Sequence, residues 1–225
     1  MAFARINAGP NRVAISEDWK NLALASKQTI NPTGSGVLKT WSLTIGGTNP
    51  VLAFLGENNA ALMQRTQSGS NFTFTGFTTG GSFTAYVFDE PTFGRRDYLV
   101  IRNPANNQVV FDATLKYMRV RGLLQGNANQ GGSITLPAGR TYASLAGSAG
   151  NAIVAAGGVV GGGPQWLVSV VWRRGVVNIN ANVASISAIN TGEFSQTGAN
   201  GTPFPAPGQY GQAWVRAPIL DVTGY

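Results

Sequence analysis

With 225 residues the chain is long enough for one large all-β domain with a substantial core, and its 43% hydrophobic content argues against global disorder. Only 11% of residues are charged and 30 are glycine, a surface that fits a partner-covered or turn-rich protein better than a free cytosolic enzyme. Cysteine and histidine are both absent, which excludes disulfides, thiolate metal sites, Cys nucleophiles and most His-based acid–base chemistry, while the net charge of +7 is dispersed rather than gathered in a tail.

Residues 1–12 are polar and carry Gly9-Pro10-Asn11, which reads as an extended N-terminal arm or early turn. No signal-peptide pattern opens the chain, and the longest apolar tract, Ala152 to Val160, is too short and Gly-broken to span a bilayer. From Val13 to Ser26 helix and strand compete. Ser16 suits an N-cap, and Trp19, Leu22, Ala23 and Ser26 would share a helical face. Strands at Val13–Ile15 and Leu22–Leu24, joined by SEDWKN, agree better with the β-like surroundings.

Thr40 to Ile45 alternates Trp41, Leu43 and Ile45 against Thr and Ser, the pattern of a half-buried strand. Val51–Leu55 is a continuous apolar strand, with Ala61–Thr66 as its return after the turn Gly56-Glu57-Asn58-Asn59. Phe72–Thr75 alternates again. Phe83–Phe88 places Phe83, Ala85 and Val87 on one face and Thr84, Tyr86 and Phe88 on the other. A hairpin at the centre follows: Tyr98–Ile101 and Val109–Phe111 flank a turn built on Pro104 and three Asn residues, with Leu115–Val120 as the next strand of a meander. Residues 146–164 read as a Gly-rich loop holding a small strand at Ala152–Ala155. Gln165–Trp172 is the strongest strand, Arg173-Arg174-Gly175 a short turn, and Val176–Ile179 the return. Val183–Ile189 alternates less cleanly, residues 190–212 form a long loop, and Ala213–Arg216 and Ile219–Val222 close the chain. The sum is an antiparallel β-sandwich, with a single domain over 13–225 behind the arm at 1–12.

Nothing in the spacing of the nine acidic residues pairs two carboxylates for hydrolysis, and Asp89-Glu90 reads as solvated loop charge. Asp112 is placed to hold the following turn through backbone N–H groups. The glycines at 157–163 contain no phosphate-loop pattern. Seven basic residues (Arg95, Arg96, Arg102, Lys116, Arg119, Arg121 and Arg140) would suit subunit contacts more than nucleic acid. Trp172, Arg173 and Arg174 are candidates for carbohydrate or protein recognition at a hairpin tip, the simpler alternative being a core Trp and a charged turn. Phe204 and Tyr210 are loop aromatics that would join them, and Arg95 and Arg96 are further interface candidates.

The block YLVIRNPANNQVVFDATLKYMRVRG, Tyr98 to Gly122, carries a resemblance, together with YVFD at Tyr86–Asp89 and the Gly94 loop. It resembles a family of small bacteriophage virion proteins encoded among tail genes. The matching residues are Asn103, Val110, Phe111, Asp112, Tyr117, Arg119 and Val120, while Asn107 and Ala113 stand where Gly and Ser are usual. ISEDWKNLALAS and WLVSVVW are similar to the family's opening and later strands, so the likeness touches about half of the chain. It implies a structural, non-enzymatic role near the tail tip or tail fibres, with no cofactor. The implied partners are copies of itself, other tail proteins and a host receptor or glycan. It also implies residence in the virion tail after synthesis in the host cytoplasm.

Overall fold

The computed structural model describes residues 3–8, 11–16, 21–55, 59–91, 99–127, 130–146, 151–159, 165–199, 208–210 and 214–225. Backbone alone is described for 3–8, 11–16, 151–159, 165–170, 192, 194–199 and 208–210. The strands in chain order begin with β1 (Phe3–Ala8), β2 (Asn11–Ser16), β3 (Ala23–Ile30), β4 (Lys39–Gly46), β5 (Val51–Leu55) and β6 (Ala61–Ser68). They continue with β7 (Asn71–Thr78), β8 (Phe83–Asp89), β9 (Val100–Arg102), β10 (Val109–Asp112), β11 (Val120–Asn127) and β12 (Ser133–Thr135). The last six are β13 (Tyr142–Leu145), β14 (Asn151–Val159), β15 (Gln165–Asn180), β16 (Val183–Ala199), β17 (Gly208–Tyr210) and β18 (Trp214–Asp221). No helix occurs among the described residues, so none is long and apolar enough to cross a membrane.

The architecture is an all-β, antiparallel sandwich. A six-stranded sheet, ordered β11-β18-β13-β5-β8-β3, is the central layer. One of its faces meets two smaller sheets. Leu52, Phe54, Phe83, Ala85 and Val87 pack on Trp41, Ile45, Phe72 and Phe74 of the three-stranded sheet β4-β7-β6. Leu124, Val215, Ala217 and Ile219 pack on Ile179, Ala184 and Ile186 of the five-stranded sheet β12-β16-β15-β14-β17. Ala61, Val176 and Ile189 close the seam between the two smaller sheets. On the reverse face of the central sheet, Ala53, Tyr86, Phe88, Ala143 and Leu220 are covered by Met118, Val222 and Tyr225. β8 therefore divides its side chains between two cores, which is what its period-2 pattern requires. Trp41, Phe54 and Phe83 meet edge to face at 5.4–5.8 Å, each contact adding about 1 kcal/mol beyond area burial. Gly76 makes this packing fit: a Cβ there would lie 1.9 Å from the Ala61 carbonyl oxygen and 2.5 Å from the Trp41 ring.

β9 and β10 pair as expected, Phe111 opposite Ile101, with an irregularity between Val109 and Phe111. Asn107 in their turn takes φ +59, the left-handed region that Asn tolerates better than any branched residue. The hairpin is nevertheless a two-stranded sheet of its own, not the centre of the molecule. Leu115–Val120 is no third strand. Met118 N–H donates to the Leu22 carbonyl and Leu24 N–H to the Lys116 carbonyl, so this segment crosses to the start of β3. The helix alternative at 16–26 is overturned by β2 and β3. β1 and β2 pair with each other, so residue 12 lies inside a hairpin. β6 pairs with β7 rather than returning along β5.

The largest correction concerns the second half. Arg173–Gly175 is not a turn: β15 runs unbroken through it, with a register shift between Trp172 and Arg173. A β-bulge absorbs the irregular pattern that reads as a break. The reversal comes instead at Asn180–Val183, where Ala181 takes φ +50. β14 fills much of the expected loop 146–164, and β16 extends through residue 199 of the expected loop 190–212. Backbone pairing along a long hairpin supplies the regularity that Gly- and Asn-rich sequence conceals.

Candidate interaction surfaces

Phe111, Asp112, Tyr117 and Arg119 act together. Asp112 ends β10 and is fully buried, its Oδ1 accepting from Thr114 N–H at 2.8 Å and Thr114 Oγ1 at 2.6 Å. This carboxylate holds the turn, as its position after an apolar strand predicts. Its Oδ2 is buried with no hydrogen-bond partner. Tyr117 returns over the hairpin: its ring stacks on Phe111 at 5.0 Å, and its hydroxyl oxygen accepts from Asp112 N–H. Burial pushes the Tyr117 hydroxyl pKa up, so it stays protonated at neutral pH. Arg119 then reaches across to the last strand, donating from Nη2 to the Thr223 carbonyl at 2.8 Å and from Nε to the Asp221 carbonyl at 3.3 Å.

Asp221 is the focus of the second arrangement. The end of β18 buries its side chain completely, and three arginines converge on it. Arg140 Nη1 lies 2.6 Å from Oδ2, Arg121 Nε 3.3 Å from Oδ2, and Arg119 Nη2 3.6 Å from Oδ1. Thr223 N–H donates to Oδ1 at 3.1 Å. Burial alone would raise the Asp221 pKa, but hydrogen bonds from Thr223 and Arg140 and the charge of Arg119 outweigh it and bring the group to about 2. All three guanidinium groups remain partly exposed, so the cluster is a cationic surface built on one buried anion.

Asp89, which reads as solvated charge, is buried as well. It accepts from Thr48 N–H, Asn49 N–H and Glu90 N–H at 2.7–2.8 Å and fixes the turn before β5.

Among the residues named from sequence, Trp172 is 41% exposed, on β15 beside the bulge rather than at a hairpin tip. Arg174 is only 9% exposed and donates from Nη1 to Met63 Sδ at 2.9 Å, which removes it from a recognition surface. The physical reason is strand alternation: successive residues Arg173 and Arg174 face opposite sides of the sheet. Tyr210 lies in β17, where it pairs with Ile153, which in turn pairs with Trp172, so the two aromatic positions share one register row. Arg95, Arg96 and Phe204 lie outside the described residues. Sequence reading missed the exposed apolar group Val120, Leu123 and Trp214, and it missed Asp221. A carboxylate inside the closing apolar run Ile219-Leu220-Asp221-Val222 was the available signal for the latter.

The best-formed cavity among the described residues holds about 30 Å³ where the three sheets meet, lined by Phe54, Ala61, Leu145, Val176 and Val215. That is room for about one water molecule. No group of three acidic residues is arranged to hold a metal among the described residues. No family model, curated protein or solved structure matches the chain.

Proposed function

We propose that this chain is a structural subunit of a bacteriophage tail, acting by assembly with itself and with other tail proteins at the tail tip or where fibres attach. What supports the reading is the use made of Phe111, Asp112, Tyr117 and Arg119, residues through which the sequence resembles that family. Each of them holds backbone or packs on another of the four, and together they tie the 112–119 turn to the last strand. Such a frame suits a scaffold on which contact surfaces are mounted. Gold-labelled antibody against the chain, applied to purified particles, should mark the tail end. Particles without label, or label confined to heads, would sink the proposal.

A second reading, a receptor- or glycan-binding module of the virion, draws on Trp172. This half-exposed aromatic shares a register row with Tyr210. Glycan binding by the isolated protein that disappears in a folded Trp172→Ala variant would favour it.

A further inference from the structure

β11 ends the six-stranded sheet, and among the described residues no strand pairs along its outer edge between Val120 and Gln125. Leu123 pairs with Pro218, which has no N–H to give. In an antiparallel ladder such a pair belongs to the alternate set whose N–H and C=O groups turn away from each other. Leu123 and, two residues on, Gln125 therefore direct their backbone groups to the open edge.

Natural sheets protect their edges, and β6, β3 and β4 follow that rule. β6 presents Gln64, Arg65, Thr66, Gln67 and Ser68, all exposed and polar. β3 is capped at its start by residues 116–118, and β4 by the Thr33–Thr40 bridge. β11 differs. Its one charge, Arg121, is folded back on Asp221 at 3.3 Å. Val120 and Leu123 are 53% and 54% exposed, and across the same face of β18 stands Trp214 at 51%. At the same edge, on the opposite face because Asp221 alternates with Leu220, lies the guanidinium cluster, three positive charges against the single buried Asp221.

We infer that the edge of β11 is a docking site for an extended, acidic segment of a partner protein, which adds to the sheet as a further strand. Main-chain bonds from Leu123 and Gln125 hold the segment. Its acidic side chain lies against Arg121 and Arg140 on one face of the sheet, and the adjacent apolar side chain, pointing to the opposite face, lies over Leu123. The net positive charge left over at Asp221 selects acidic over basic segments and over a second copy of this basic chain. A partner outside any tail would serve equally well, so the assignment does not rest on the tail reading.

The test is an amide NMR titration of the full chain with a ten-residue peptide of alternating Glu and Ile. The expected result is shifts centred on the Leu123 and Gln125 amides, with the inward-facing Leu124 amide little moved. The matching Lys–Ile peptide should bind at least tenfold more weakly, as should the Glu–Ile peptide to Leu123→Pro, which removes the edge-facing N–H but no bond to β18. Leu123→Lys, read by the same shifts, covers the case in which the proline variant does not fold. No shift at 123 and 125, or equal binding of the basic peptide, overturns the assignment. So does a concentration-dependent dimer abolished by Leu123→Lys, which would make the occupant a second copy. Binding of a single-stranded oligonucleotide that depends on Arg121 but not on Leu123 would also overturn it, in favour of phosphate contacts.

Discussion

Arg119 and Arg121, two residues apart, are joined over one carboxylate by Arg140 from a separate stretch of chain, whereas Arg173 and Arg174 are direct neighbours in sequence and face opposite sides of their sheet. The first group faces solvent on a buried anchor. The second is divided by the pleat, with Arg174 turned inward onto Met63 beside an exposed Trp172. Sequence proximity thus says less about a charged surface than strand register does. What makes the first cluster a unit is Asp221, because a buried anion fixes the direction from which each cation approaches.

Removing that anchor should produce the largest effect. Asp221→Asn leaves three guanidinium groups facing one another without the charge that gathers them. A loss of about 3 kcal/mol in urea unfolding is expected, the usual cost of removing one partner of a buried ion pair. Arg173→Gln, by contrast, alters a partly exposed side chain and should cost no more than about 1 kcal/mol. Equal losses for the two variants would erase the distinction between the clusters.

Acid probes the same anchor without mutation. The folded pKa of Asp221, about 2, lies below its ordinary value of 3.8, so its contribution is fully present above pH 4. It is lost as the pH falls through the interval down to about 2, and amounts to roughly 2 kcal/mol. Urea midpoints collected between pH 5 and pH 2 should fall more steeply for the parent chain than for Asp221→Asn. Parallel curves would mean that the carboxylate is not held in its charged form.

A smaller change is expected at the 111–117 frame. Tyr117→Phe keeps the ring stacked on Phe111 but removes the oxygen that accepts the Asp112 N–H. The expected cost is about 1 kcal/mol. It should be accompanied by faster exchange of the Asp112 amide, which separates a lost hydrogen bond from disturbed packing.

Much of the sandwich was legible in the sequence where side chains alternate: β4 and β7 set a buried apolar face against a more exposed polar one, and β8 divides its side chains between two cores. Asp112 could be read locally because a turn-capping carboxylate acts within two residues of itself. The arginine cluster on Asp221 could not, since Arg119, Arg121 and Arg140 lie 81 to 102 residues away and only sheet order brings them in. The long β15–β16 hairpin was hidden for a related reason. Gly175, Gly192 and Asn190 carry turn chemistry, yet all lie within paired strands whose backbone bonds override local preference. The exposed edge of β11 is invisible in sequence altogether, because exposure there depends on which strand does not come next.

Trp172 offers the smallest change in stability and the sharpest contrast with Asp221. It is half-exposed on a strand surface, so Trp172→Thr, which keeps β propensity, should cost under about 1 kcal/mol and leave the unfolding curve nearly superimposable. Its effect should appear only in association, as weaker binding to a glycan or to a neighbouring subunit, measured at fixed protein concentration. Asp221→Asn should do the reverse and weaken the fold directly. If Trp172→Thr instead unfolds the chain at the concentrations where Asp221→Asn does, then the bulge at Trp172 supports the core. Surface and anchor would then have exchanged places.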